Sequence, residues 1–488
     1  MTAKLSERIL YVDKKPPTSN LLRKKSFRGI PSVGIPRFSG GDRMTGTVDL
    51  AQVLEARERR AMRQRALLAQ YQTPLVSFSM NIAGPVKNSP LIRRGFQLGK
   101  RMLMEQLSLS GINVLHAEKK DAVTGCEALF AVHAKPEAVK KIACAIEDQA
   151  PLGRLYDMDV IGPDGLKLER PEPRRCLICG KPARECARSR AHSVEELQAA
   201  TRTLLETALN AEDARTAARL AVQALLYEVC VTPKPGLVDR NNNGSHRDMD
   251  IYSFLSSAAA LFPYFETCVR IGRQTANQPA PETLAALRWH GIQAECDMRR
   301  ATGGVNTHKG AIYSMGLLCG ALGRLNREQW AEPGNVLSEI AAMTQGSVER
   351  ELNGAESAPT AGQKLYTKYG ITGVRGEAEQ GFPAVLSHGL PVLEACLAQG
   401  KTKDEAGAAA LLHLLAHTTD TNMISRGGRT RQQEAQKQIR TLLKESPFPS
   451  KETIQELDKA FIQDNLSPGG SADLLSLCWM LHFLKEEA

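Results

Sequence analysis

The chain has 488 residues, 42% of them hydrophobic and 24% charged, with a net charge of +10. That length exceeds one ordinary core, because domains usually run to roughly 100–200 residues, and the composition excludes a disordered chain or a membrane-embedded one. No run approaches the ~20 apolar residues of a membrane span, since the longest apolar stretch, residues 254–265, is interrupted by Pro263.

Residues 1–43 hold ten Lys or Arg against Glu7, Asp13 and Asp42, and this +7 leaves only +3 for the other 445 residues. A basic, flexible extension is expected there, with no apolar core behind Lys4, Arg8, Lys14 and Lys15 that would make a signal peptide, so a cytoplasmic protein is expected. The near-balance of the rest argues against a nucleic-acid groove over the folded body. Eleven cysteines without framework spacing fit reduced thiols.

In chain order, apolar residues at helical spacing over residues 48–71 (Leu50, Val53, Leu54, Ala61, Leu67, Leu68) predict an amphipathic helix. Strands are predicted at 75–82, 112–116, 127–133 and 154–161, with helices at 92–109 and 136–148, so residues 44–192 are expected to form an α+β domain. After the first strand, the polar turn Asn81 to Asn88 precedes Arg93 and Arg94 at a helix start. Backbone amides, the Lys87 ammonium and the helix end together suit a polyphosphate, although an ordinary basic turn accounts for each residue singly.

Asp157 and Asp159 stand two apart on the last predicted strand, so both carboxylates face one way. Adjacent carboxylates are costly unless one is protonated or a cation bridges them, and Mg²⁺ takes one or two carboxylates plus phosphate oxygens. This is a nucleotidyltransferase-like arrangement, with solvated strand-end acids as its rival. Gly162-Pro163-Asp164-Gly165 predicts a hairpin turn into residues 166–168. Cys176-x2-Cys179-x6-Cys186-x5-His192 then offers four ligands of the kind that hold Zn²⁺ tetrahedrally. Its spacing is not that of a standard finger, and Arg184, Arg188 and Arg190 interleave, so a basic loop gripping phosphate is the alternative.

From residue 193 onward strand signals nearly vanish and Ala- and Leu-rich helical periods take over, at 194–208, 211–228, 252–272, 281–299, 311–325, 336–350 and 406–419. An all-α domain over residues 193–488 is expected. Pro233 and Pro235 stop the second of these helices and leave Lys234, Asp239, His246, Asp248 and Asp250 on a loop. Asp239 is expected to bind metal or act as a base, with Asp248 as a further catalytic candidate and Lys234 as a phosphate ligand. A helix cap is the plainer role for Asp248 or Asp250. The loop Gly303 to Gly310 offers amides, Asn306, His308 and Lys309 to an anion, and a second Gly-rich loop over 369–378 adds Arg375 and Glu377. His413, His417 and Asp420 recur at i, i+4 and i+7; the leucines around His413 favour a hydrogen-bonded core histidine, while Asp420, Asn422 and Arg426 are site candidates. Ser471 and Asp473 are placed to cap the last helix, predicted over 474–484.

Three segments, Met80-Asn81-Ile82-Ala83-Gly84-Pro85-Val86-Lys87 to Arg94, Gly153-Arg154-Leu155-Tyr156-Asp157-Met158-Asp159-Val160, and Arg175-Cys176 to His192, resemble the apo-citrate lyase phosphoribosyl-dephospho-coenzyme A transferase family over roughly residues 46–197. The loops at 232–250, 303–310, 369–378, 413–428 and 465–473 resemble triphosphoribosyl-dephospho-coenzyme A synthase over roughly residues 205–488. The two resemblances imply a bifunctional transferase. One half would join dephospho-coenzyme A to the ribose of ATP and expel adenine; the other would move the product onto a serine of the apo acyl carrier subunit of citrate lyase and release pyrophosphate. Residues 1–43 match neither family. The competing reading, a zinc-containing nucleic-acid-binding protein, finds little support in an aromatic content of 5% without a stacking motif.

Overall fold

The computed structural model describes residues 46–352 and 361–487; the expected basic extension over residues 1–43 lies outside them. Helix α1 (Leu50–Tyr71) starts at a capping box between Asp49 and Gln52 and leads into strand β1 (Leu75–Met80) and helix α2 (Pro90–Leu109). Strands β2 (Asn113–Ala122) and β3 (Gly125–His133), helix α3 (Pro136–Gln149) and strand β4 (Tyr156–Ile161) follow. The four strands form one antiparallel sheet in the order β2-β3-β1-β4.

Alternation gives this sheet two unlike faces. Val76, Phe78, Phe130, Met158 and Val160 point to a core that includes Phe96 and Leu103 of α2 and Val139 and Ala143 of α3. The opposite face divides along its length. Leu75, Leu129, Ala131 and Ile161 pack against Leu67 and Leu68 of α1, while further along Ser79 pairs with Glu127 on one side and Asp157 on the other. A one-residue slip of β4 would bury both aspartates, so the apolar residues at 156, 158 and 160 fix where the acid pair points. The expected hairpin after β4 is present: Leu168 N–H reaches Val160 O at 2.8 Å and Gly162 N–H reaches Leu166 O at 2.8 Å.

A short helix α4 (Ala183–Ser189) precedes α5 (Val194–Cys230), a single helix of 37 residues begun by a Ser193–Glu196 capping box. Two helices were expected here, at 194–208 and 211–228; Asn210 does not break the run, because no Gly or Pro falls between the two periods and both sides of the helix find apolar partners. Its first part gives Leu205 and Ala208 to the sheet core, and its second part, from Ala214 on, belongs to the helical core.

The rest is helical among the described residues. It comprises α6 (Ile251–Ala260), α7 (Phe262–Gln274), α8 (Ala280–Ala301), α9 (Lys309–Arg324), α10 (Pro333–Thr344), α11 (Ser347–Leu352) and α12 (Ala361–Tyr369). Helices α13 (Gly373–Glu379), α14 (Leu390–Ala398), α15 (Lys403–His417), α16 (Thr421–Gly427), α17 (Arg429–Glu445), α18 (Lys451–Gln463) and α19 (Gly469–Glu486) complete the bundle. The helix expected over 252–272 is divided at Leu261, with Pro263 in the first turn of α7, and that expected over 336–350 is divided at Gly346, which has φ +68°. No described helix is long and apolar enough to cross a membrane.

Candidate functional site

Three groups of expected site residues lie on the α+β half. On the sheet, Asp157 and Asp159 do share one face, with side chains 41% and 26% exposed. Each already has a cation beside it: Arg174 Nη2 lies 3.2 Å from Asp157 Oδ1, and Lys167 Nζ lies 2.6 Å from Asp159 Oδ2. Arg174 also pairs with Glu147, a carboxylate only 2% exposed whose Oε1 accepts the Met158 N–H at 2.7 Å. β4 is an edge strand, and Glu147 thereby satisfies an edge N–H that would otherwise be buried without a partner.

The polar turn is firmly held. Asn88, fully buried, donates to Ala122 O at 2.7 Å and accepts from Arg93 Nη1 at 3.2 Å. Lys87 Nζ donates to Ile82 O, and burial together with the Arg57 charge lowers its pKa. Gly84, at φ +81°, presses against α5, where an added Cβ would fall 1.9 Å from Gln198 Nε2. Arg94 points elsewhere: it pairs at 2.6 Å with Asp213 of α5, 3% exposed, and Arg273 of α7 stands 3.9 Å from the same carboxylate.

Cys176, Cys179, Cys186 and His192 converge, with their ligand atoms all within 4.8 Å of one another. The loop is closed by Cys176 N–H to Lys181 O at 2.6 Å and Ala183 N–H to Arg174 O at 2.8 Å, and α4 brings Cys186 round to the first pair. The Lys181 backbone N–H, then His192, bring the Cys179 thiol down to about 6. His192 Nε2 is buried with no hydrogen-bond partner. Three thiols and one imidazole at this separation are a tetrahedral donor set.

In the helical half, loops expected to act together are joined by named contacts. Asp239, 3% exposed, accepts three backbone N–H groups, from Lys234 at 3.0 Å, Asn241 at 2.6 Å and Asn242 at 3.0 Å. Lys234, 1% exposed, is spent on Glu228, with Nζ 2.5 Å from its Oε1 and 2.7 Å from its carbonyl. Asp250 caps α6, whereas Asp248 is exposed. His246 Nε2 and Ser467 Oγ are 2.7 Å apart, and Arg426 ties Ser245 O to Asn465.

His413, His417 and Asp420 do not form one helical face, since α15 ends at His417 and Asp420 caps the next helix, α16. His413 contacts Pro447 O at 3.1 Å, and His417 stacks on His388 at 3.7 Å. Asp420, 3% exposed, accepts Asn422 N–H, Met423 N–H and both the N–H and hydroxyl of Ser471, while burial raises its pKa. Asn422 is exposed beside Gly469. His308 is buried, with Nδ1 2.7 Å from Ser257 Oγ and Nε2 unpartnered, and burial pushes its pKa down to about 3, so the ring is neutral. Asn306 is exposed, as is Lys309, which pairs with Glu295 at 2.9 Å. The N-terminal turn of α9 faces Asp473: a Cβ on Gly310 would meet its Oδ2 at 1.9 Å, and burial, then the Glu228 and Asp420 charges, raise its pKa well above the carboxylate range. Arg375 pairs with Glu351 at 2.7 Å, and the Glu377 pKa is raised by burial. Glu228, Glu147 and Asp213 escaped sequence reasoning because each sits inside a regular helical period, where no motif singles out a charge that tertiary packing buries.

The α+β half thus carries an acid pair on a sheet face and a thiol-rich clasp, and the helical half a cluster of polar loops. The family profile described as CitX, apo-citrate lyase phosphoribosyl-dephospho-CoA transferase, matches residues 48–208, and that described as CitG, ATP:dephospho-CoA triphosphoribosyl transferase, matches residues 214–488. The chain is 35% identical over 467 residues to the Protein CitXG of Leuconostoc mesenteroides, covering 90% of this chain and 97% of that one. To the Protein CitXG of Haemophilus influenzae it is 36% identical over 447 residues, covering 88% and 95%. A probable 2-(5''-triphosphoribosyl)-3'-dephosphocoenzyme-A synthase of Vibrio cholerae is 43% identical over 276 residues, 55% of this chain and 88% of the relative. The chain belongs to the fused CitXG family. It is a bifunctional transferase that makes triphosphoribosyl-dephospho-coenzyme A from ATP and dephospho-coenzyme A and transfers the prosthetic group to apo-citrate lyase. Both profile edges fall within α5.

Proposed function

We propose that the two reactions run at two separate sites, with synthesis among the loops of the helical bundle and transfer on the polar face of the sheet. In synthesis, a ribose hydroxyl of dephospho-coenzyme A forms a bond to the anomeric carbon of ATP as the bond to adenine breaks; the hydroxyl gives up its proton, and adenine leaves with a proton gained on the ring nitrogen that held the ribose. The exposed Asp248, Asn306, Asn422 and Arg426 rim the loop cluster and are positioned for substrate, while Asp239, Asp420 and the Glu228–Lys234 pair hold the loops rigid beneath them. His308, neutral and with a free Nε2, supplies a hydrogen-bonding group rather than a charge.

In transfer, the carrier serine oxygen bonds to the α-phosphorus of the triphosphoribosyl group, its proton is lost, and the bond to pyrophosphate breaks. The half-exposed Asp157 and Asp159 on one strand face are the observation that carries this assignment. They fit Mg²⁺, which when bound neutralises charge on the departing pyrophosphate. Lys87, whose pKa is lowered by burial, and Arg93 line the neighbouring turn. This arrangement supports a nucleotidyltransferase-like domain. The Cys176, Cys179, Cys186 and His192 set fits Zn²⁺ in a structural role, since four protein donors fill a tetrahedron and leave no open position.

The test is Asp157→Asn and Asp159→Asn in the full chain. Each is expected to abolish carrier modification, read by mass spectrometry, and to leave adenine release from ATP and dephospho-coenzyme A intact. Full carrier modification by either variant would remove the acid pair from the transfer site, and loss of adenine release as well would overturn the separation of sites.

A further inference from the structure

Arg174 occupies an unusual position for a surface-loop arginine. One guanidinium nitrogen, Nη2, contacts both the buried Glu147 and, at 3.2 Å, Asp157 Oδ1. Its backbone is fixed as well, because its carbonyl accepts the Ala183 N–H at 2.8 Å at the entrance to the Cys3His clasp, and the neighbouring Arg175 carbonyl accepts from Arg154. Glu147 is 2% exposed and serves three partners at once: the Met158 N–H between the two aspartates, Arg174, and Arg170. Arg170 turns the other way, toward Asp148 at 2.5 Å.

We infer that Arg174 is a tethered counter-cation that occupies the Asp157 carboxylate in the substrate-free protein, and that Glu147 is the positioning residue that sets how strongly it does so. The inference rests on the reading of Asp157 and Asp159 as a divalent-cation site. A guanidinium on one of two carboxylates competes with a free divalent ion for that oxygen. Glu147 shares the guanidinium and so weakens its hold on Asp157. The consequence is an acid pair that binds a bare cation poorly and accepts one best when a triphosphate delivers it, since the phosphate oxygens then draw Arg174 away.

Divalent-cation affinity, measured without substrate by Mn²⁺ electron paramagnetic resonance on the full-length protein, reads this directly. Arg174→Gln should tighten Mn²⁺ binding roughly tenfold, the size of one charge-assisted hydrogen bond removed from a competitor. Glu147→Gln, which keeps an oxygen for the Met158 N–H, should weaken it, because Arg174 then turns wholly to Asp157. Arg170→Gln removes an equal charge from the same carboxylate without freeing Asp157, and should shift affinity less than about twofold. Equal effects of Arg174→Gln and Arg170→Gln would reduce the matter to long-range charge and overturn the occupancy. An unchanged affinity in Arg174→Gln would do the same, and that comparison stands even where Glu147→Gln does not fold. The underlying reading fails separately: wild type and Asp157→Asn would then bind Mn²⁺ equally weakly.

Discussion

The Glu228–Lys234 pair is the sharpest place to test how the synthase half is built. Lys234→Met keeps most of the side-chain volume but leaves a carboxylate whose side chain is 5% exposed without its cation, which sat 2.5 Å away. Breaking a buried pair by removing one partner typically costs about 3–5 kcal/mol. At ~2–4 °C per kcal/mol for a domain of this size, the helical half should melt roughly 6–20 °C lower. The loss should also depend on pH with a definite sign. Burial already raises the Glu228 pKa above the ordinary carboxylate value, and losing Lys234 removes the main opposing influence. A group whose folded pKa is raised binds more protons folded than unfolded, so the variant should lose stability as pH rises from the unfolded carboxylate range near ~4.3 towards the folded pKa. The double variant Glu228→Gln, Lys234→Met removes the stranded charge and should recover most of the deficit. Circular-dichroism melts at several pH values, run beside adenine release, check this. A single variant within about 1 kcal/mol of wild type that nevertheless loses adenine release through a raised KM for ATP would refute the reasoning and make Lys234 a substrate ligand.

Purified protein should carry about one Zn²⁺ per chain, and Cys179→Ser should lower that content and slow carrier transfer while sparing adenine release; metal analysis showing no Zn²⁺ even after supplementation would exclude the clasp as a zinc site. A transferase fragment ending at residue 197 lacks Leu205 and Ala208, which are 2% and 9% exposed in the sheet core. It should be less stable than one ending at residue 212 by at least ~3 kcal/mol, the order of a large buried side chain removed, and equal urea midpoints would count against the shared helix.

The fold was legible where periodicity and breakers agree. The four strands stood out because β-rich alternation lies between clear helical periods, and the direction of Asp157 and Asp159 followed from alternation alone. Helix limits failed in both directions: local breakers at Pro263 and Gly346 divide periods that read as continuous, and nothing at 209–210 ends α5, because the residues on both sides of it have cores to enter. Site chemistry was legible as composition and not as partnership. Cys176, Cys179, Cys186 and His192 converge as their pattern suggests, but the sequence could not say that Lys234 is consumed by a glutamate six residues earlier, or that Arg94 turns to Asp213, 119 residues away. Those pairings are set by how helices pack, and helix packing leaves no signature at fixed spacing.

The continuity of α5 bears on how the two activities coexist. A flexible linker would let each half fold and move independently. Here a single helix enters both cores, and a buried carboxylate in its middle, Asp213, takes Arg94 from the sheet half at 2.6 Å while Arg273 of the helical half stands at 3.9 Å. Burial raises the pKa of Asp213 and the Arg94 charge opposes that rise most strongly, so the carboxylate is best satisfied when the arginine from the other half is in place. Two cores joined through a rigid element and a shared buried charge should resist separation more than their individual contacts suggest, because parting them would strand Asp213 as well as expose apolar surface. The half that makes the triphosphoribosyl group and the half that transfers it therefore share one helix and one buried charge.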